Sequence, residues 1–199
     1  MSSLQHQLTK HGLGAFFRPR DVAPLGIPYG KLMSLIAAGE VERVGVGLYR
    51  LTSVEPDENE TVAMVASAVP SAIVCLLTAL RIHDIGTQNP WQIWIAIARG
   101  ARTPVRLPAQ VRLFRFSGRM LTYGIEERTM LGVRVRLTNP ARTVVDCFRF
   151  RNQVGMDVAL EALREVIGSR KATIAELDRV ADVCRQRTVM RPYLEAFAT

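Results

Sequence analysis

Between Arg18 and Leu51 the chain is interrupted so often that no long element fits. Pro19, Gly26-Ile27-Pro28, Gly39 and Gly45-Val46-Gly47 leave only short runs between them. Proline is tolerated at the first helical position, where its missing N–H would be unbonded anyway, so Pro19 opens a short helix over Arg20–Leu25. Gly26-Ile27-Pro28 forces a turn. From Tyr29 onward Leu32, Leu35 and Ile36 recur on one helical face, and Gly39 supplies the left-handed cap. Val41–Val44 and Leu48–Leu51 flank the next glycine pair as a hairpin. A weakly periodic Leu4–His11 precedes all of this as a first helix. Helix, helix, tight turn, helix and hairpin is the element order of a winged helix-turn-helix.

After an acidic linker around Pro56, the pattern is helical again. Asn59 is placed to cap Glu60–Val69, Pro70 interrupts, and Ser71–His83 continues as helix with Ile73, Leu76, Leu77 and Leu80 apolar. The period then changes to that of strands: Trp91–Ala98, Val111–Phe116, and Ile125–Met130 with Val133–Leu137 around Leu131-Gly132. Asn139-Pro140 starts a helix whose apolar face is Ala141, Val144, Val145 and Phe148. Asp157–Ile167 and Thr173–Cys184 follow, the latter opened by a Thr173/Glu176 capping box. The reading is an α+β chain: a winged helix-turn-helix over residues 1–53, then an α+β domain over 54–199 with a small, mainly antiparallel sheet flanked by helices.

The 199 residues are 48% hydrophobic and 22% charged, which argues for a packed core over disorder. No apolar run is long enough for a membrane span, and Met1-Ser-Ser-Leu-Gln-His does not read as a secretory leader. Cys75, Cys147 and Cys184 are odd in number, far apart and set among apolar neighbours. They read as reduced core thiols of a cytoplasmic protein, without zinc-ligand spacing. The net charge of +8 is uneven: +3 over residues 1–53, −4 over 54–98, +9 over 99–151 and zero over 152–199. Only three of the 26 cations are lysines, and arginine forks phosphate in a way lysine does not.

In the helix-turn-helix, the first turn of the third helix faces the bases. Here that turn is Tyr29, Gly30 and Lys31, with Ser34 one turn on. Tyr29 and Ser34 can hydrogen-bond bases or phosphates, Lys31 can neutralise a phosphate, and Arg18, Arg20, Arg43 and Arg50 are candidates for the DNA backbone. Arg99, Arg102, Arg112, Arg115, Arg134 and Arg136 form a candidate basic surface of the second domain, with the four on strands alternating with apolar residues. It would extend a DNA footprint, bind RNA or meet an acidic protein; the plain alternative is a solvated strand face. His83 beside Asp84 at a helix end reads as a capping or solvated pair, because sequence neighbours on a helix do not face each other.

Enzymatic readings find less support. None of Lys10, Lys31 and Lys171 has an acid two positions upstream, so the common acid-x-Lys nuclease signature is absent. Gly168-Ser169 followed by Glu176-Leu177-Asp178 faintly resembles a nucleotidyltransferase metal site, but Glu176 is already the capping-box partner of Thr173. No catalytic, metal or cofactor residue is assigned. A metal-dependent nucleic-acid-processing enzyme and a stand-alone winged-helix interaction module stay open as alternatives.

The chain also resembles a known family. Gly26-Ile-Pro28 and Glu42-Arg-Val-Gly-Val-Gly-Leu-Tyr-Arg50 are similar to the regulator domain of AbiEi-type antitoxins. Farther along, similar stretches are Ile73–Leu80, Trp94–Arg102, Arg115–Gly118, Asn139–Phe148 and Arg151–Arg164, and this later half carries most of the resemblance. It implies a non-enzymatic transcriptional regulator of a type IV toxin–antitoxin, abortive-infection locus that binds inverted repeats in its own promoter. It further implies a nucleotidyltransferase toxin as functional counterpart without a stable complex, and a monomer or weak dimer acting cooperatively on double-stranded DNA.

Overall fold

The computed structural model describes residues 3–197. The chain divides into two compact units. One comprises residues up to Ser71 with Arg102–Gln110 and Glu127–Val135, the other Ala72–Ala101, Val111–Glu126 and residues from Arg136 onward.

In the first unit, helices α1 (Ser3–Lys10), α2 (Pro19–Val22) and α3 (Tyr29–Ala37) pack with a three-stranded sheet of β1 (Phe16–Phe17), β2 (Val41–Gly45) and β3 (Leu48–Leu51), ordered β1-β3-β2. A turn of 3₁₀ helix, Ala23–Leu25, follows α2, and Gly26 ends it at φ 77°. Leu8, Phe17, Val22, Ile27, Leu32, Val41, Tyr49 and Leu51 close one core, so each of these three α-helices and three strands contributes at least one buried apolar chain. The expected order of helices and hairpin is found. Strand β1, too short for a periodicity signal, adds to it by pairing Phe16 with Arg50 and Phe17 with Tyr49. Gly14 is required by a close approach: a Cβ there would lie 2.4 Å from the backbone carbonyl carbon of Gly132. Helix α4 (Glu60–Ala68) completes this unit. Asn59 makes no side-chain cap bond to it.

The second sheet has five strands in the order β6-β5-β4-β8-β7: β4 (Ile73–Val74), β5 (Ile93–Ala98), β6 (Val111–Phe116), β7 (Ile125–Met130) and β8 (Val133–Thr138). The expected helix over Ser71–His83 is only half right. Ile73 and Val74 form the central strand, antiparallel to β5 and parallel to β8, and only Leu76–Ile82 is helix, α5. Both residues are β-branched and fully buried, and two neighbouring strands satisfy their backbone, which outweighs the apolar spacing. The sheet is also mixed rather than mainly antiparallel, since β5–β6 and β4–β8 run parallel.

Behind this sheet lie α6 (Pro140–Arg149), α7 (Arg151–Val154), α8 (Met156–Gly168), α9 (Ile174–Val183) and α10 (Arg187–Ala196). The helix starts at Asn139 and Thr173 are as anticipated. Asn139 accepts the Arg142 N–H at 2.9 Å, and Thr173 and Glu176 form the reciprocal box. Helix α6 is central: every residue from Ala141 to Phe148 is buried. The short α7 and the final α10 go beyond the expected elements, the latter because Pro192 sits inside it and masks the helical signal. The core joins Trp94, Phe114 and Phe116 of the sheet to Val144, Phe148, Leu163 and Leu177 of the helices.

Candidate nucleic-acid interface

Helix α3 is held by buried Leu32 and by half-buried Met33, Leu35 and Ile36. That anchoring turns Tyr29, Gly30, Lys31, Ser34, Ala37 and Ala38 to solvent. Tyr29 is 63% exposed at the start of the helix, and Lys31 stands in the same turn. Ser34 is exposed too, with its hydroxyl donating to the Gly30 carbonyl at 3.3 Å, a bond that water or a base can replace. The remainder of the exposed arc is small residues, so reach comes from Tyr29 and Lys31 and close approach from Gly30, Ala37 and Ala38.

The four arginines named with them have different surroundings. Arg43, on the outer strand of the hairpin, is exposed and donates from Nε to its neighbour Gly45 at 3.2 Å. Arg20 is 70% exposed, with Asp21 at 3.7 Å, a weakly held surface pair. Arg50 is only 11% exposed: it meets Glu42 Oε1 at 2.9 Å and Glu60 Oε1 at 2.8 Å and donates to the Val54 carbonyl at 2.7 Å. Arg18 donates to the Ala68 carbonyl at the end of α4. A phosphate would have to displace two carboxylates from Arg50, so Arg50 and Arg18 brace the unit, while Arg20, Arg43 and Lys31 present charge.

The arginines of residues 99–151 do not form one plate. Residues three apart on a strand point to opposite faces, which separates Arg112 from Arg115. Arg112 stacks over the Trp94 ring at 4.5 Å. Arg115 donates to the carbonyls of Ala98 and Ala101 at 3.2 and 2.5 Å. Strand β6, which carries both, is separated from β8 and its Arg136 by β5 and β4. Arg136 donates to the Leu121 carbonyl at 3.1 Å. Arg134 is 78% exposed and 3.5 Å from Glu127. Arg99 and Arg102 are exposed.

Sequence reasoning missed the strongest electrostatic feature. Arg142 and Asp146, four apart on α6, are both fully buried and joined by a 2.9 Å hydrogen bond from Nε. The guanidinium also donates to the carbonyls of Tyr123 (2.6 Å) and Met120 (3.2 Å) and lies over the Phe116 ring. Among the described residues none donates a hydrogen bond to Asp146 Oδ1. Burial pushes the Asp146 carboxyl up to about 6 against the opposing pull of Arg142. The i,i+4 Arg/Asp spacing inside a helix capped by Asn139 was the available signal. His83 takes the C-cap position of α5, the capping half of its expected role, but it is buried rather than solvated, and its Nε2–H donates to the Thr138 carbonyl at 2.7 Å.

The three cysteines are free and buried, as anticipated, and burial raises each thiol above its ordinary value, Cys184 to about 11. Among the described residues no cluster of histidine, cysteine or carboxylate is placed to share a metal ion, and no helix is long and apolar enough to cross a membrane.

No curated protein matches the chain. Among solved structures it is similar to the crystal structure of the RV2827C protein from Mycobacterium tuberculosis, with a TM-score of 0.57 and 12% identity over 90% of this chain and 70% of that one. At that identity the likeness concerns the fold alone. Residues 13–52 match the family model described as "Transcriptional regulator, AbiEi antitoxin". The matched stretch is the helix-turn-helix and its hairpin, not the later motifs in which the sequence resemblance was strongest. The likeness to the AbiEi antitoxin family of transcriptional regulators thus rests on residues 13–52, the stretch that holds α3 and the hairpin.

Proposed function

We propose that the protein is a cytoplasmic DNA-binding autorepressor and the antitoxin of a type IV, AbiE-like phage-defence locus. Residues 1–53 act as the winged DNA-binding domain and 54–199 as the antitoxin and regulatory domain. The observation that carries the reading is the coincidence of the family match over residues 13–52 with a helix whose first turn, Tyr29 to Lys31, is turned to solvent above a buried Leu32. A helix so placed enters the major groove with that turn toward the bases, while the hairpin serves as the wing on the backbone. Tyr29 and Ser34 then contact base edges, Lys31 neutralises a phosphate, and Arg20 and Arg43 hold the flanking backbone.

The partners in this reading are duplex DNA carrying inverted repeats from the protein's own promoter and a nucleotidyltransferase toxin opposed without a stable complex. The protein binds as a monomer or weak dimer, cooperatively on DNA, needs no cofactor and performs no catalysis.

A promoter–reporter fusion tests the reading. Expression of the protein should repress its own upstream region, and Lys31→Ala with Arg43→Ala should relieve that repression at equal protein level. Repression by the variant equal to wild type would remove these residues from the interface. The antitoxin half is tested separately by growth of cells co-expressing a toxin encoded beside it; absence of rescue leaves a regulator only.

A further inference from the structure

Residues Arg102–Gln110 lie between β5 and β6 in sequence, yet they belong to the compact unit that holds the helix-turn-helix. Their Pro108 sits against the hairpin tip, where a Cβ added at Gly45 would be 3.3 Å from Pro108 Cβ. Loop and hairpin together border a cleft of about 500 Å³ with Val46, Val105 and Arg106 on its rim.

Three properties of this loop mark it as a surface for a polyanion. It contains Arg102 and Arg106 and no acid, both arginines are exposed, and neither has an ion-pair partner among the described residues. Pro104 and Pro108 fix two of its backbone angles, which lowers the entropy lost on binding. Arg106 has φ +55°, a left-handed conformation that glycine would adopt without cost, so an arginine there is held at some expense to the fold. Val46 and Val105 are 62% and 72% exposed beside it, suited to the apolar faces of sugars.

We propose that Arg102 and Arg106 grip backbone phosphates of duplex DNA beside the wing, extending its footprint with a second, non-contiguous stretch of chain. The proposal rests on the promoter-binding reading above. Phosphate is favoured over an acidic protein because the loop shares its unit with α3 and the hairpin, and because unpaired guanidinium forks match phosphate oxygens.

The test is Arg102→Ala with Arg106→Gly, the glycine relieving the left-handed backbone so that folding is preserved. Binding is measured by anisotropy on two labelled duplexes of equal length, the protein's upstream region and a scrambled one, over a salt series. Each neutralised phosphate adds about 0.9 to the slope of log affinity against log salt, so removing two makes the drop between 50 and 200 mM about 12-fold smaller. The expected result is that change on both duplexes alike, with preference for the upstream duplex retained and the slope restored in large part by Arg106→Lys on an otherwise native chain. A slope equal to wild type, with wild-type preference present, overturns the loop's grip on DNA alone. Wild-type indifference between the two duplexes overturns the promoter reading instead, whatever the variant does.

Discussion

Replacing Arg142 by methionine should destabilise the second unit by about 3–5 kcal/mol, because it strands a fully buried Asp146 carboxylate and leaves the Tyr123 and Met120 carbonyls without their donor. Both tryptophans, Trp91 and Trp94, lie in that unit, so their fluorescence in urea follows its unfolding without contribution from the other. With a urea slope of about 2 kcal/mol per molar, the midpoint should fall by roughly 2 M. The destabilisation should also depend on pH, with a defined sign. In the native protein the folded Asp146 carboxyl is raised from 3.8 to about 6, so its contribution favours folding most below 3.8 and is lost as pH rises through 6, then stays level. Without Arg142, the cation that draws it down is gone and the folded value is higher still. The deficit of the variant should therefore keep growing above pH 6, by up to about 1.4 kcal/mol per pH unit. Adding Asp146→Leu should recover part of the stability, since it removes the stranded charge. A deficit below about 1 kcal/mol, or one identical at pH 6 and pH 8, would refute the assignment of this pair as an ionised, buried strut.

Other substitutions probe the remaining elements. Lys31→Ala with Arg43→Ala should flatten the salt dependence of DNA affinity by about one unit for each phosphate that is no longer neutralised, read in a titration at several salt concentrations. Asn139→Ala removes the acceptor of the Arg142 N–H and should cost about 1 kcal/mol in the same fluorescence assay. Gly14→Ala drives a methyl into the Gly132 backbone and should cost about 1–3 kcal/mol. Its signature is reduced hydrogen-exchange protection of the Ala15 amide, which bonds the Leu131 carbonyl at 2.8 Å.

What the sequence disclosed followed from local chemistry. Prolines and glycines punctuate the first fifty residues so closely that helix and hairpin boundaries fall almost where expected, and the caps at Asn139 and Thr173 act within one helical turn. What it concealed depended on distant partners. Ile73-Val74 satisfies a helical period as well as a strand, and only pairing with β5 and β8 decides between them. The expected basic plate failed on two counts: Arg112 and Arg115, three apart on one strand, face opposite ways, which their spacing already implied, and alternation along a strand says nothing about the order of strands in the sheet. Arg50 and Arg43 look alike in the sequence, yet Glu42 and Glu60 converge on the first and leave the second to solvent. Arg106 showed no local sign of its left-handed backbone or of the company of the hairpin.

The central claim is tested most directly by a gel shift with the protein's own upstream region against unrelated DNA, at two salt concentrations. The account predicts preference for the upstream fragment, retained at the higher salt, because base contacts from α3 survive when phosphate contacts are screened. Equal binding to both fragments, erased at the higher salt, would contradict it and reduce the positive charge to a generic attraction.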